Sequence, residues 1–221
     1  MAPRVVDKQQ KKQAILMAAA TVFAQNGYHA SRMQQIASAA GIGKGTVYEY
    51  YKSKDELLIG LYELVFLGFD KQIHAPDLDR LPAREQILAS LEKLVADLDE
   101  FIGLLPVFLE TFINQDLRQR LQLDTYLKTW LDHFTKFFMT LMERGQQEGS
   151  IRTDIHPRAL SRVIISMLDG FGLHYYLFQP DARLLQAQQK ELLGMIADRL
   201  RPPGARQERS GPGVVRDRRN Q

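Results

Sequence analysis

Between Ser31 and Lys54 the chain carries Arg32, Lys44, Lys52 and Lys54 together with Tyr48, Tyr50 and Tyr51, opposed by one acid, Glu49. Cations and phenols at that density are hydrogen-bond donors for phosphate oxygens and base edges, so they suit non-covalent recognition of a polyanion. Catalysis is not what they suit. The sequence holds no nucleophile–base arrangement, no Gly-rich phosphate loop after a strand, and no His/Asp/Glu set at metal-ligand spacing. With no cysteine at all, a disulfide framework and thiolate chemistry are excluded. No catalytic residue, metal or cofactor is therefore expected, and the protein is not expected to be an enzyme.

These donors need a scaffold, and the same stretch spells one. Ser31 and Gln34 have capping-box spacing, Ile36 and Ala37 face inward, and Ala39 and Ala40 permit close helix crossing. Gly41 supplies the positive φ of a helix end, Ile42 plugs the turn, and Val47 and Tyr51, four apart, point to a core. Lys44, Thr46, Tyr48, Glu49 and Tyr50 are left on the outside. Two short helices joined by a glycine-containing turn make a helix-turn-helix, whose second helix can enter a major groove. Gly45 costs about 1 kcal/mol relative to alanine inside a helix; a missing side chain there lets the backbone approach a duplex closely. The alternative, an ordinary helical hairpin in a bundle, leaves the exposed tyrosines and lysines without a reason.

Apolar residues recur at three- and four-residue spacing almost throughout the 221 residues, which reads as all-α. About nine helices are expected: a first ending at Asn26-Gly27, then 32–39, 44–50, 54–74, 83–101, 106–113, 116–147, 157–178 and 183–200. Eight Lys/Arg stand against two Asp/Glu in residues 1–54, seven against two in 199–221, and fourteen against twenty-two in between. A basic head on an acidic body implies a polyanion partner at one end. The expected division is residues 1–54 as DNA-binding domain, a linking helix at 54–74, residues 75–200 as a second helical domain, and 201–221 as a disordered basic tail rich in Pro, Gly and Arg. No apolar run is long enough to span a bilayer and the N-terminal segment does not read as a signal peptide; a cytoplasmic protein with no membrane partner is the expectation.

The run from Ile15 to Leu61 resembles the DNA-binding domain of the TetR/AcrR family of transcriptional regulators. The matching features are Phe23-Ala-Gln-Asn-Gly27-Tyr28, Ile36-Ala37, Ala40-Gly41-Ile42, Gly43-Lys44-Gly45-Thr46-Val47-Tyr48 and Tyr51-Lys52-Ser53-Lys54-Asp55-Glu56-Leu57-Leu58. The resemblance implies that Lys44 and Thr46 face bases or the nearest phosphates, that Tyr48 and Tyr50 contact the sugar-phosphate backbone, and that Lys54 binds a phosphate. Ser31 would anchor another phosphate, and Arg32, Met33 and Gln34 would touch bases or backbone. Arg4, Lys8, Lys11 and Lys12 could form an arm reaching a neighbouring groove, or serve solubility alone. Two positions depart from the family pattern: Gly43 replaces the common Ser or Thr as a weaker N-cap, and Glu49 puts a negative charge on the helix that would face DNA.

The resemblance also implies a homodimer on double-stranded palindromic operator DNA, formed through the last two helices, with a small-molecule effector bound in the body, which makes residues 75–200 the helical regulatory and dimerisation domain. Leu160, Ile164, Met167, Leu168, Phe171, Tyr175, Leu185, Leu192 and Ile196 are the expected dimer face. The expected effector pocket draws on Phe101, Phe108, Phe112, Trp130, Phe134 and Phe178, with Glu110, His133 and His174 as polar fixers, and suits a lipophilic or aromatic molecule. Aromatics at helical spacing also read as plain core. Two functions are carried forward: a repressor released by an effector, and a constitutive or architectural DNA-binding protein without one.

Overall fold

The protein's computed structural model describes residues 8–204. Arg4 and most of the proposed tail, 205–221, lie outside the described residues; 201–204 run on past the last helix without helical structure. Among the described residues every regular element is a helix, eleven in all: α1 (Lys8–Ala30), α2 (Met33–Ala39), α3 (Lys44–Tyr50), α4 (Lys54–Ile73), α5 (Ala83–Ala96), α6 (Asp99–Ile102), α7 (Leu105–Ile113), α8 (Gln115–Arg120), α9 (Leu123–Glu148), α10 (Pro157–Phe178) and α11 (Ala182–Leu200).

Two expected helices are each divided. The 83–101 helix becomes α5 and the single turn α6, and the 116–147 helix becomes α8 and α9. The second break has a local cause: Gln122 takes left-handed φ 52, which no continuous right-handed helix accommodates. Other boundaries follow from side-chain caps. Ser53 accepts from the Glu56 amide at the start of α4, Asn114 from the Leu117 amide at α8, and Asp181 from the Arg183 and Leu184 amides at α11. Each satisfies a backbone donor that has no partner inside its helix.

The apolar faces gather into two cores. In the first, Ile15, Ala19, Val22 and Phe23 of α1 meet Ile36 of α2, Val47 of α3 and Leu57 and Leu61 of α4, closed from the far side by Val107 of α7, Leu117 of α8 and Leu123 of α9. In the second, Ile87 and Leu91 of α5, Phe138 and Met142 of α9, Ile164 of α10, and Leu192 and Ile196 of α11 interlock. Helix α9 packs on both α5 and α10, and α11 lies on α5. Full burial of each such aliphatic side chain stabilises by about 1.5–3 kcal/mol.

This second core corrects the expected dimer face. Ile164 (0% exposed), Leu192 and Ile196 are interior residues of the protomer, because α10 and α11 each need an apolar stripe to sit on the rest of the body. Leu160, Met167, Leu168, Phe171, Tyr175 and Leu185 are half-buried.

Candidate nucleic-acid interface

Helix α2 ends on Gly41, whose φ of 66 is one that glycine adopts without steric cost. The Ile42 amide then donates to the Ala37 carbonyl at 3.0 Å, closing the turn into α3. On α3, Val47 is wholly buried and fixes the helix against the first core. Tyr51 follows it inward, its ring 5.8 Å from the Lys12 ammonium; burial first, then Glu63 and Glu56, pushes its hydroxyl up to about 12.

The opposite face of α3 is open. Lys44, Gly45, Tyr48 and Glu49 are exposed and Thr46 is half-exposed. A Cβ on Gly45 would meet nothing within 4 Å, so the backbone there is bare. The Lys44 ammonium lies 5.8 Å from the Tyr48 ring centre. On α2, Arg32 and Gln34 are exposed beside this face.

Two expected contacts, Ser31 and Lys54, are corrected, and a third, Tyr50, is only partly open. Ser31 is 3% exposed, and its hydroxyl donates back to the Gly27 carbonyl at 2.6 Å; it ties down α1 and does not present an oxygen to phosphate. The cap of α2 falls one residue later, with the Arg32 amide donating to the Gln35 side chain at 2.8 Å. Tyr50 is half-buried against the first core, because three residues after Val47 the short helix has turned back to its inner side. Lys54 donates to the carbonyls of Tyr28 (2.6 Å), His29 (3.0 Å) and Ser31 (3.0 Å). An ammonium has three donors, so Lys54 caps the end of α1 and has none left for phosphate. Burial lowers its pKa against the pull of Asp55 and Glu110.

A latch between the reading head and the rest of the chain meets at the same point. Gly27 has φ 76, which turns the chain so that Glu110 of α7 accepts from the amides of Tyr28 (2.7 Å) and His29 (3.2 Å) and pairs with His29 Nδ1 at 2.7 Å. A Cβ at Gly27 would lie 3.2 Å from Glu110 Oε2. Burial works against the Glu110 charge, but the hydrogen bonds from His29 and the two amides hold its pKa below the ordinary value. Tyr28 donates its hydroxyl to Asp55, and Arg120 of α8 reaches the same carboxylate at 3.3 Å. Sequence reasoning missed Tyr28, Asp55 and Arg120 and placed Glu110 in a pocket. The Gly27 turn was legible; the acid 83 positions later that fills it was not.

Part of the expected aromatic set does come together. Phe108 stacks on Tyr62 of α4 (centroids 4.4 Å apart), Phe112 lies 6.3 Å from the same ring, Trp130 stacks on Phe66 (5.1 Å) and Phe134 lies 6.4 Å from Phe66. Tyr126 bridges the two groups at 6.2 and 6.1 Å. The Tyr62 hydroxyl pairs with Thr111, and burial pushes it up to about 12. The other candidates lie elsewhere. Glu110 belongs to the latch, His174 packs on Phe178 at 5.1 Å, and Phe178 is 68% exposed, so these two residues at the C-terminal end of α10 stand apart from the cluster. Phe101 packs on Phe69 at 4.9 Å and lines an open groove of 1370 Å³ between α1 and α4. His133 sits at the rim, edge-on to Trp130 at 5.5 Å. It meets Asp70 and His74 there, a grouping that the sequence spacing did not disclose.

Among the described residues no helix is long and apolar enough to cross a membrane. Residues 15–61 match the family described as bacterial regulatory proteins, tetR family. The chain is 27% identical over 164 residues to the fatty acid metabolism regulator protein of Bacillus subtilis, covering 73% of this chain and 81% of that protein. It is 29% identical over 201 residues to the HTH-type transcriptional repressor KstR2 of Rhodococcus jostii, covering 89% and 94%. In fold it is similar to the transcriptional regulator FadR of Bacillus subtilis in complex with stearoyl-CoA, with a TM-score of 0.66 at 23% identity, covering 85% of this chain and 98% of that one.

Proposed function

From the premise that the chain is a TetR-family transcriptional regulator, we propose that it is a repressor that binds palindromic operator DNA as a homodimer through the open face of α3. One observation carries this: Val47 is buried while Lys44, Gly45, Tyr48 and Glu49 stand in solvent with bare backbone between them. Such a helix can lie in a major groove, with Lys44 and Thr46 toward bases or phosphates and Tyr48 toward the backbone. Residues 1–54 act as the reading head on this reading, and 75–200 as the regulatory body. Pairing of two copies would follow the exposed stripes that the body leaves uncovered: Val163, Gly170 and Leu177 on α10, Leu184 and Met195 on α11. A twofold pair of heads separated by one helical repeat, about 34–36 Å, reads two half-sites.

The aromatic cluster between α4, α7 and α9 is the effector site of this proposal, and its lining favours a lipophilic or aromatic ligand. The stearoyl-CoA in the similar Bacillus structure makes a long acyl chain the first compound to try. An effector that parts these rings moves α7, hence Glu110, and α4, hence Lys54; both hold the end of α1. Release requires that it bind the non-DNA arrangement more tightly. The filled, mutually stacked rings favour a second reading, a DNA-binding protein without an effector, under which a broad lipophilic library produces no thermal shift.

The decisive measurement is fluorescence polarisation with the chain's own upstream DNA over a range of salt. Selective, salt-sensitive binding is expected. Lys44→Ala removes one cation from each of the two copies and should reduce the slope of log affinity against log salt by about 2, whereas Thr46→Val should change which sequences are preferred. Binding without selectivity at any salt overturns the proposal.

A further inference from the structure

The last turn of α4 and the middle of α9 converge on one carboxylate. His133 Nε2 lies 2.6 Å from Asp70 Oδ1, and His74 Nδ1 lies 3.2 Å from the same oxygen. All three ligand atoms fall within 4.8 Å of one another. We propose that Asp70, His74 and His133 form a binding site for a divalent transition-metal ion of the zinc class, tying the end of α4 to α9.

The donor set fits that class. Two imidazole nitrogens and one carboxylate oxygen, with no thiolate available, suit Zn²⁺, Co²⁺, Ni²⁺ or Cu²⁺ over the all-oxygen preference of Mg²⁺ and Ca²⁺. Bonds of 2.0–2.1 Å at tetrahedral angles put neighbouring ligand atoms roughly 3.3 Å apart. The His74–Asp70 pair is already at that spacing. The His133–Asp70 pair must open by about 0.7 Å on the same geometry, which rotation of a half-exposed imidazole supplies. Asp70 and His74, the residue that caps the end of α4, are four apart and lie on one side of that last turn; His133 comes from a second helix, so the site is not a local accident of one turn.

The surroundings orient the rings. His74 stands edge-on to Phe137 at 4.9 Å, and His133 edge-on to Trp130 and Phe134, each at 5.5 Å. The three ligands are partly exposed, with side-chain exposures of 31, 47 and 44% for Asp70, His74 and His133. That opening is an entry path, and it leaves a fourth coordination position for water or a ligand atom. Without an ion the Asp70 carboxylate pairs with His133, and His74 Nδ1 lies 3.1 Å from the Asp70 carbonyl oxygen as well; a metal ion would take the place of these hydrogen bonds by drawing both imidazoles and the carboxylate to itself.

The site is independent of the reading of α3, and its test does not use DNA. The full-length chain, freed of metal with a chelator, is titrated with Zn²⁺ by calorimetry and with Co²⁺ by visible absorption. Emission of Trp130, the chain's one tryptophan, is followed in the Co²⁺ titration. One equivalent of each ion should bind in the micromolar range or tighter, with Co²⁺ quenching Trp130. His133→Gln and Asp70→Asn should each weaken Zn²⁺ binding more than tenfold, as loss of an inner ligand exceeds the 10–100-fold seen even for outer supporting residues. Both positions are at the surface, and matching circular dichroism melts of the metal-free proteins confirm that either variant is folded. Unchanged affinity in a folded variant, or absence of saturable binding below millimolar Zn²⁺ in the parent chain, overturns the proposal.

Discussion

On α3 Tyr48 stands in solvent with the Lys44 ammonium near its ring, whereas on α4 Tyr62 is wholly buried, stacked on Phe108 and bonded through its hydroxyl to Thr111. The same residue type does opposite work in the head and in the body. In the body each ring completes its neighbour's packing, and the burial itself stabilises the fold. In the head Tyr48 is 37% exposed and stacks on no other ring among the described residues, so part of the phenol is left open to a partner. Open to solvent beside a cation on one side, buried and mutually stacked on the other: that contrast separates a surface for a partner from a core.

The largest expected effect breaks the body. Ile164→Ala should destabilise the fold by about 2–5 kcal/mol, read as a shift of the denaturation midpoint at protein concentrations where association is held constant. If Ile164 were a contact between copies, the loss would instead scale with dilution. A smaller effect probes the joint between head and body. Lys54→Met removes three carbonyl contacts at the end of α1 and should cost about 1–3 kcal/mol, while the salt slope of DNA binding stays as in the parent. A slope reduced by about 2, one contact from each copy, would restore Lys54 as a phosphate ligand.

The smallest effect concerns Glu110 and is visible only through pH. Its folded-state pKa lies below the ordinary 4.5, so its contribution to stability is complete above that value and disappears as pH falls through the lower folded value. The gap in melting temperature between the parent and Glu110→Gln should therefore be constant near neutrality and close as pH drops below 4.5. A gap that persists in acid would mean that the carboxylate charge is not what holds the end of α1.

Legibility followed sequence distance. The turn at Gly41, the inward Val47, the open Gly45 and the outward Lys44 and Tyr48 are all matters of spacing within one short segment, and the structure has them where spacing placed them. Tyr50, three residues after Val47, falls on the flank between the buried and the open face, which the periodicity of a seven-residue helix does not separate. Ser31 and Lys54 failed for another reason. Their residue types are right for phosphate, but α1 ends beside them with unsatisfied carbonyls, and a backbone acceptor within reach competes with any external anion.

What the sequence determined by itself is an all-helical chain with a helix-turn-helix near its start, because helix period, caps and a glycine turn are local properties of neighbouring residues. Only the tertiary structure decided that Glu110 closes on Gly27, that Ile164, Leu192 and Ile196 belong inside one protomer, and that His133 meets Asp70 and His74. Those pairings join positions tens of residues apart. They depend on how helices cross, and crossing is set by the summed burial of many side chains, which no single spacing in the sequence records.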